Sequence, residues 1–136
     1  MPQNPSKDTL DNRLMNIIID LQKQVAMLRT NQFIPPAWIA PTFLNSWVNF
    51  GGSDEVAGYY QDALGTVHLR GVVKTGTIGT VIFQLPTGYR PDSTIIFPVA
   101  SNGAFGYCTI DSSGNVTASG GNNTSFSLNG ISFRVV

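Results

Sequence analysis

Apolar residues follow two different rhythms along this chain. Between residues 9 and 29 they recur at Leu14, Ile18, Leu21, Val25 and Leu28, at alternating intervals of four and three. That is heptad spacing, with Ile18 and Val25 at a and Leu14, Leu21 and Leu28 at d. It predicts a helix over 9–29, roughly 20 residues and about 30 Å long, with Thr9 as N-cap and Asp11 in the first turn. Residues 1–8 lack periodicity, contain Pro2 and Pro5, and read as a flexible arm. An isolated helix of this length is marginal in water, so its stripe needs a cover. β-branched residues at a with Leu at d favour a parallel pair, but Leu10 and Ile17 at g and Met15 at e widen the face, which suits three strands better. The expected trimerisation residues are therefore Leu14, Ile17, Ile18, Leu21, Val25 and Leu28. The alternative is that the stripe packs on the β domain of its own chain.

Residues 31–45 break the helical rhythm. Pro35, Pro36 and Pro41 end the helix and hold the chain extended. Phe33, Ile34, Trp38, Ile39, Phe43 and Leu44 make this strap more apolar than a solvated linker. Such a segment lies against something, either its own head or a neighbouring chain.

From residue 46 onward the rhythm is that of strands. Val67 and Leu69 alternate with Thr66, His68 and Arg70 after an Asp62-x-x-Gly65 turn signal, with Tyr59 and Tyr60 on the opposing arm. Further strands are predicted at 46–50, 80–85, 94–100, 104–111, 115–118, 126–128 and 131–136. The 104–111 and 115–118 strands pair across Asp111-Ser-Ser-Gly114. About eight short strands with turns every 8–12 residues imply a mainly β, antiparallel sandwich or jelly-roll-like head. The expected division is an arm and coiled-coil helix at 1–30, a proline-rich linker at 31–45 and a β head at 46–136.

Composition narrows the function classes. Eight basic and eight acidic residues give zero net charge, which argues against nucleic acid and against electrostatic membrane binding. Charged residues make up only 12% of the chain, so its surface is either neutral-polar or covered by partners. Cys108 is the single cysteine, which excludes an internal disulfide. No apolar run is long enough to span a bilayer. The N-terminus lacks a signal-peptide core, so Asn115-Val-Thr and Asn122-Asn-Thr are read as chance glycosylation matches.

Candidate chemistry is sparse. His68 is the single histidine, and with one cysteine it makes no zinc set. No nucleophile elbow, P-loop or dinucleotide fingerprint occurs. A glycosidase needs two flanking carboxylates, and the head offers only Asp54, Glu55, Asp62, Asp92 and Asp111, mostly in loops, where turn formation is the favoured reading and a glycan hydrolase stays a minor option. No enzymatic activity, cofactor or metal is expected. Binding is easier to support. Trp47, Tyr59, Tyr60, Tyr89 and Tyr107 offer amphipathic rings, with His68, Arg70 and Arg90 as polar neighbours, a combination suited to saccharides.

Three runs carry a resemblance. They are Val67-His-Leu-Arg-Gly71, Thr80-Val-Ile-Phe-Gln-Leu-Pro-Thr-Gly-Tyr-Arg-Pro91 and Tyr107-Cys-Thr-Ile-Asp-Ser-Ser-Gly-Asn-Val116. Together they resemble the head domain of tailed-bacteriophage receptor-binding proteins, those of phages of Gram-positive bacteria above all, over residues 46–136. The resemblance implies a trimeric β-sandwich head, often on a coiled-coil stem, that binds saccharide near protomer boundaries. In lactococcal-type heads the sugar contacts flank the third hairpin turn. Tyr107 and Thr109, then Ala118 and Ser119, stand there in this chain, so only the ring of Tyr107 matches.

The expectation is a non-enzymatic virion protein, assembled in the host cytoplasm as a homotrimer. It would be a fibre or receptor-binding module for host surface glycan, with capsid or baseplate proteins docked on its N-terminal arm. Possible saccharide contacts are Tyr107, Thr109, Trp47, Tyr60, His68 and Arg70. The alternative is a head fibre or capsid decoration protein anchored by the arm.

Overall fold

The computed structural model describes residues 5–135, the side chains of 5–8 and 30–33 excepted. The chain divides into two compact units, Met1–Pro35 and Pro36–Val136.

The first unit is one helix, α1 (Pro5–Phe33), of 29 residues. It is longer at both ends than the heptad pattern predicts. Proline at a first helical turn costs no hydrogen bond, so Pro5 opens the helix rather than belonging to an arm. Thr9 consequently lies inside the helix and is not its cap. The remainder of the expected arm, residues 1–4, lies outside the described residues. Pro35 and Pro36 follow the last turn and stop it. Leu14, Ile17, Ile18, Leu21, Val25 and Leu28 are all exposed, as are Leu10 and Met15.

Among its described residues the second unit is antiparallel throughout and holds ten strands, against the roughly eight expected. They are β1 (Val48–Asn49), β2 (Gly58–Gln61), β3 (Thr66–Arg70), β4 (Val72–Lys74), β5 (Val81–Gln84), β6 (Ile95–Ser101), β7 (Ala104–Ile110), β8 (Asn115–Gly120), β9 (Phe126–Ser127) and β10 (Ser132–Arg134). One sheet has the order β5-β8-β7-β6, another β10-β3-β2, and a third β1-β4-β9. The last two are halves of one bent layer. β3 runs into β4 through the single residue Gly71, and β9 and β10 track them as antiparallel partners across the same bend.

Alternation along the strands builds the core. Val67 and Leu69 of β3 point inward while Thr66, His68 and Arg70 are half-buried on the other face. From the four-stranded sheet come Ile82, Phe83, Cys108, Ile110, Val116 and Ala118; Phe126, Leu128, Ile131 and Phe133 come from the bent layer. Rings bridge the two layers, Tyr59 stacking on Phe83 at 6.1 Å and Phe97 meeting Phe133 at 6.2 Å. Burial pushes the Cys108 thiol up to about 12. It stays protonated at neutral pH.

Two hairpins of this unit are built alike. In β2–β3 the Asp62 Oδ1 accepts the N–H groups of Leu64 and Thr66 at 2.9 and 3.0 Å. In β7–β8 the Asp111 Oδ1 accepts those of Ser113 and Asn115, both at 3.0 Å. Gly65 and Gly114 close the turns at φ of 84° and 83°. Each Asp replaces backbone acceptors that a tight turn leaves out, and each Gly takes a conformation costly for other residues.

The apolar strap, from Pro36 on, lies against its own head. Ile39 and Tyr59 exchange backbone hydrogen bonds at 2.8 and 3.0 Å, and Leu44 N–H donates to the Ile82 carbonyl at 2.8 Å. Phe43 packs against the core.

Candidate functional site: a cleft on the outer face of the bent layer

The register of β2 on β3 places the site. Tyr60 stands opposite His68 and Gly58 opposite Arg70, and on the other side of β3 Ser132 stands opposite His68. Because side chains alternate, His68 and Arg70 share the outer face with Tyr60. The Ile39–Tyr59 bridge then brings Trp38 over them. Gly58 leaves this space open: a Cβ there would sit 3.4 Å from Trp38 Cβ and 3.5 Å from Arg70 Nε.

The groups hold one another. Trp38 meets Tyr60 edge-on, with centroids 4.5 Å apart at 90°. Tyr60 stacks on His68 at 4.9 Å and 21°. The Arg70 guanidinium lies 4.5 Å from the centroid of the Trp38 ring. His68 Nε2 is 2.9 Å from Asp62 Oδ2, which ties the cleft to the turn of its own hairpin. Glu55, Leu69, Asn129, Gly130, Ile131 and Ser132 complete the wall. The cleft has a volume of about 490 Å³, within the range of small-ligand sites.

The Asp62 carboxyl is held below the usual carboxylate range, first by the His68 hydrogen bond and then by the Thr66 N–H. A folded value below the unfolded one means that this stabilisation is complete at neutral pH and is lost as pH falls through the folded value, below about 4. Asp62→Asn keeps an oxygen for the turn but loses the charge. The melting-temperature difference between wild type and this variant should therefore shrink between pH 5 and pH 3. A difference that stays constant over that window would show that the carboxylate's charge contributes nothing.

The six expected saccharide contacts separate. Tyr60, His68 and Arg70 meet in this cleft. Trp47 is only 1% exposed, packs on Phe126 at 6.0 Å and donates its indole N–H to Thr80 Oγ1 at 3.1 Å. It is a core residue and cannot stack on a ligand. Tyr107 and Thr109 belong to β7 of the other sheet and do not line the cleft. Tyr107 is 39% exposed on an apolar face with Ile96 and Phe105, and Thr109 Oγ1 is 2.7 Å from Ser119 Oγ. Trp38, Glu55, Asn129 and Ser132 were not indicated by the sequence pattern. The apolar character of the strap was the signal for Trp38, but its partner was open. Among the described residues no cluster of three or more His, Cys, Asp or Glu could hold a metal, and no helix is long and apolar enough to cross a membrane.

No protein-family model matches the chain, and no curated protein matches it by sequence. Among solved structures, it is similar to the crystal structure of the receptor binding protein (gp15) of Listeria phage PSA. The two share a fold. The TM-score is 0.67 at 18% sequence identity, over 98% of this chain and 88% of that one. Helix and β unit thus both fall within the aligned length, which extends beyond the 46–136 stretch that carried the sequence resemblance.

Proposed function

We propose that this chain is a bacteriophage virion protein, a non-enzymatic, homotrimeric fibre or receptor-binding module whose head recognises saccharide on the host surface. The observation that carries this reading is the fold shared with a phage receptor binding protein over nearly the whole chain. The outer cleft supports the saccharide part. Trp38 and Tyr60 supply ring surface for sugar C–H faces, and His68, Arg70, Asn129 and Ser132 supply hydrogen-bonding groups beside them. The exposed stripe of α1 supports trimerisation, and its N-terminal end would dock on capsid or baseplate proteins.

The test is binding of the purified full chain to cell envelopes from a panel of Gram-positive hosts, in parallel with binding to phage capsids. Wild type should bind one host's envelopes, and Trp38→Ala should weaken that binding about tenfold, equivalent to about 1.4 kcal/mol of ring contact, while the head still melts cooperatively. Stoichiometric capsid binding without any envelope binding would reject the receptor reading in favour of a head fibre or decoration protein.

A further inference from the structure

One side chain in the cleft is held in place without a hydrogen-bonding partner of its own. Arg70 Nε is buried and has no hydrogen-bond partner among the described residues. Among those residues no acid pairs with Arg70, and the Asp62 carboxylate is taken by His68 at 2.9 Å. A guanidinium carries five N–H donors in a fixed plane and accepts nothing. The guanidinium carbon lies over the Trp38 ring, 4.5 Å from its centroid, which holds the group beside the ring. Leaving the Nε–H dry is costly unless an acceptor arrives.

One neighbouring group has the same bias. Asn129 Oδ1 already accepts the Gly71 N–H at 2.7 Å, which fixes the amide and leaves its N–H groups to face a ligand. His68 is engaged at Nε2 by Asp62. Ser132 offers a hydroxyl. Glu55 is the one carboxylate on the cleft wall among the described residues, and it is exposed. An oriented amide donor beside a charged fork favours an acceptor-bearing ligand, and a planar guanidinium matches the paired oxygens of a carboxylate or a phosphate.

We infer that the cleft takes an acidic saccharide. Its carboxylate or phosphate sits on Arg70 with help from Asn129, and a sugar C–H face lies against the exposed part of Trp38. This rests on the reading of the head as a saccharide-binding module and narrows it to one charge class.

The experiment titrates the full chain with glucose, glucuronic acid and glucose 6-phosphate, followed by tryptophan fluorescence. Trp47 is buried, so the signal reports Trp38, and Trp38→Phe should abolish it. At least one acidic sugar should bind about tenfold more tightly than glucose, the difference expected of one charge-assisted contact. The two acidic sugars tell carboxylate from phosphate. The gap should close in high salt and in Arg70→Gln. Glu55→Gln, an exposed change that leaves the fold alone, should widen it about threefold, as removal of one nearby like charge would. Glucose binding as tightly as both acidic sugars would overturn the charge preference and leave saccharide binding standing. Envelope binding that survives Arg70→Gln and Trp38→Ala unchanged would overturn the cleft as the site. Absence of envelope binding by wild type would instead sink the receptor reading itself.

Discussion

Gly71→Ala is expected to lower the melting temperature of the head by roughly 10 °C or more. A Cβ at this position would lie 2.4 Å from Ala57 Cα, 2.5 Å from Ala57 N and 2.8 Å from Val56 C, all backbone atoms. The residue also sits at a φ of 111°, which L side chains rarely adopt. Neither strand nor loop can move aside cheaply. Gly71 N–H donates to Asn129 and its carbonyl accepts the Leu128 N–H, both at 2.7 Å. The loop opposite is tied by Val72 N–H to the Glu55 carbonyl at 3.0 Å and by Phe50 N–H to the Val72 carbonyl at 2.8 Å. Backbone strain of about 1–3 kcal/mol and overpacking of a similar size act together. Against a total stability of about 5–15 kcal/mol, that is a large share, and each kcal/mol moves the midpoint by about 4–8 °C in a unit of this size. Thermal denaturation followed by circular dichroism measures it. A midpoint within about 2 °C of wild type would mean that the corner relaxes freely.

The second large effect concerns assembly. Replacing both Ile18 and Leu21 of α1 by Asp should reduce the sedimenting species from three times the 14.6 kDa chain mass to one. Both side chains are exposed on the isolated chain, so the substitutions remove nothing from the chain's own core. In the proposed trimer each would lie at the shared seam. Burying an aliphatic side chain there contributes about 1.5–3 kcal/mol, and three chains would each lose two such contacts and gain two carboxylates facing one another. The near-ultraviolet signal of Trp47 should stay unchanged, because its packing on Phe126 belongs to the head. A monomeric wild type would reject the stem altogether. A variant that remains trimeric would place the interface on the head.

The parts of the fold legible in the sequence are those fixed by local rules. The helix of α1 and the alternation around Val67 and Leu69 could each be read from the period of a single element. The turns at Asp62 and Asp111 could be read because an Asp-x-x-Gly run does its bonding within itself. Boundaries were harder. Pro5 is neutral at a helix start, so it served equally well as arm or first turn. β4 was missed because a single glycine separates it from β3, too little sequence to announce a change of sheet. The Asn102-Gly103 pair was a usable hairpin signal for β6–β7, with φ of 50° and 74° in the structure.

The candidate site divides along the same line. Tyr60, His68 and Arg70 could be grouped on paper because hairpin register alone puts them on one face. Trp38 could not, since its position depends on a bridge to Tyr59 across 20 residues of chain. Asn129 and Ser132 arrive through the β9–β10 turn and β10, an even longer connection. Trp47 shows the opposite failure. A tryptophan's large ring and single donor suit a binding surface and a core alike, and only the space left by Gly76, where a Cβ would fall 2.1 Å from the indole, decides for the core.

Pro98 bears on how such heads behave when crowded. It lies at the middle of β6, the strand that ends the four-stranded sheet, paired with Tyr107 on its one covered side. A strand from another copy that tried to extend this sheet would find no N–H to bond at the centre of the ladder. The seven-residue edge is therefore split into two short pieces, neither long enough to template a lasting addition. A second copy meeting this face can touch it through side chains, but it is offered no unbroken backbone ladder to extend.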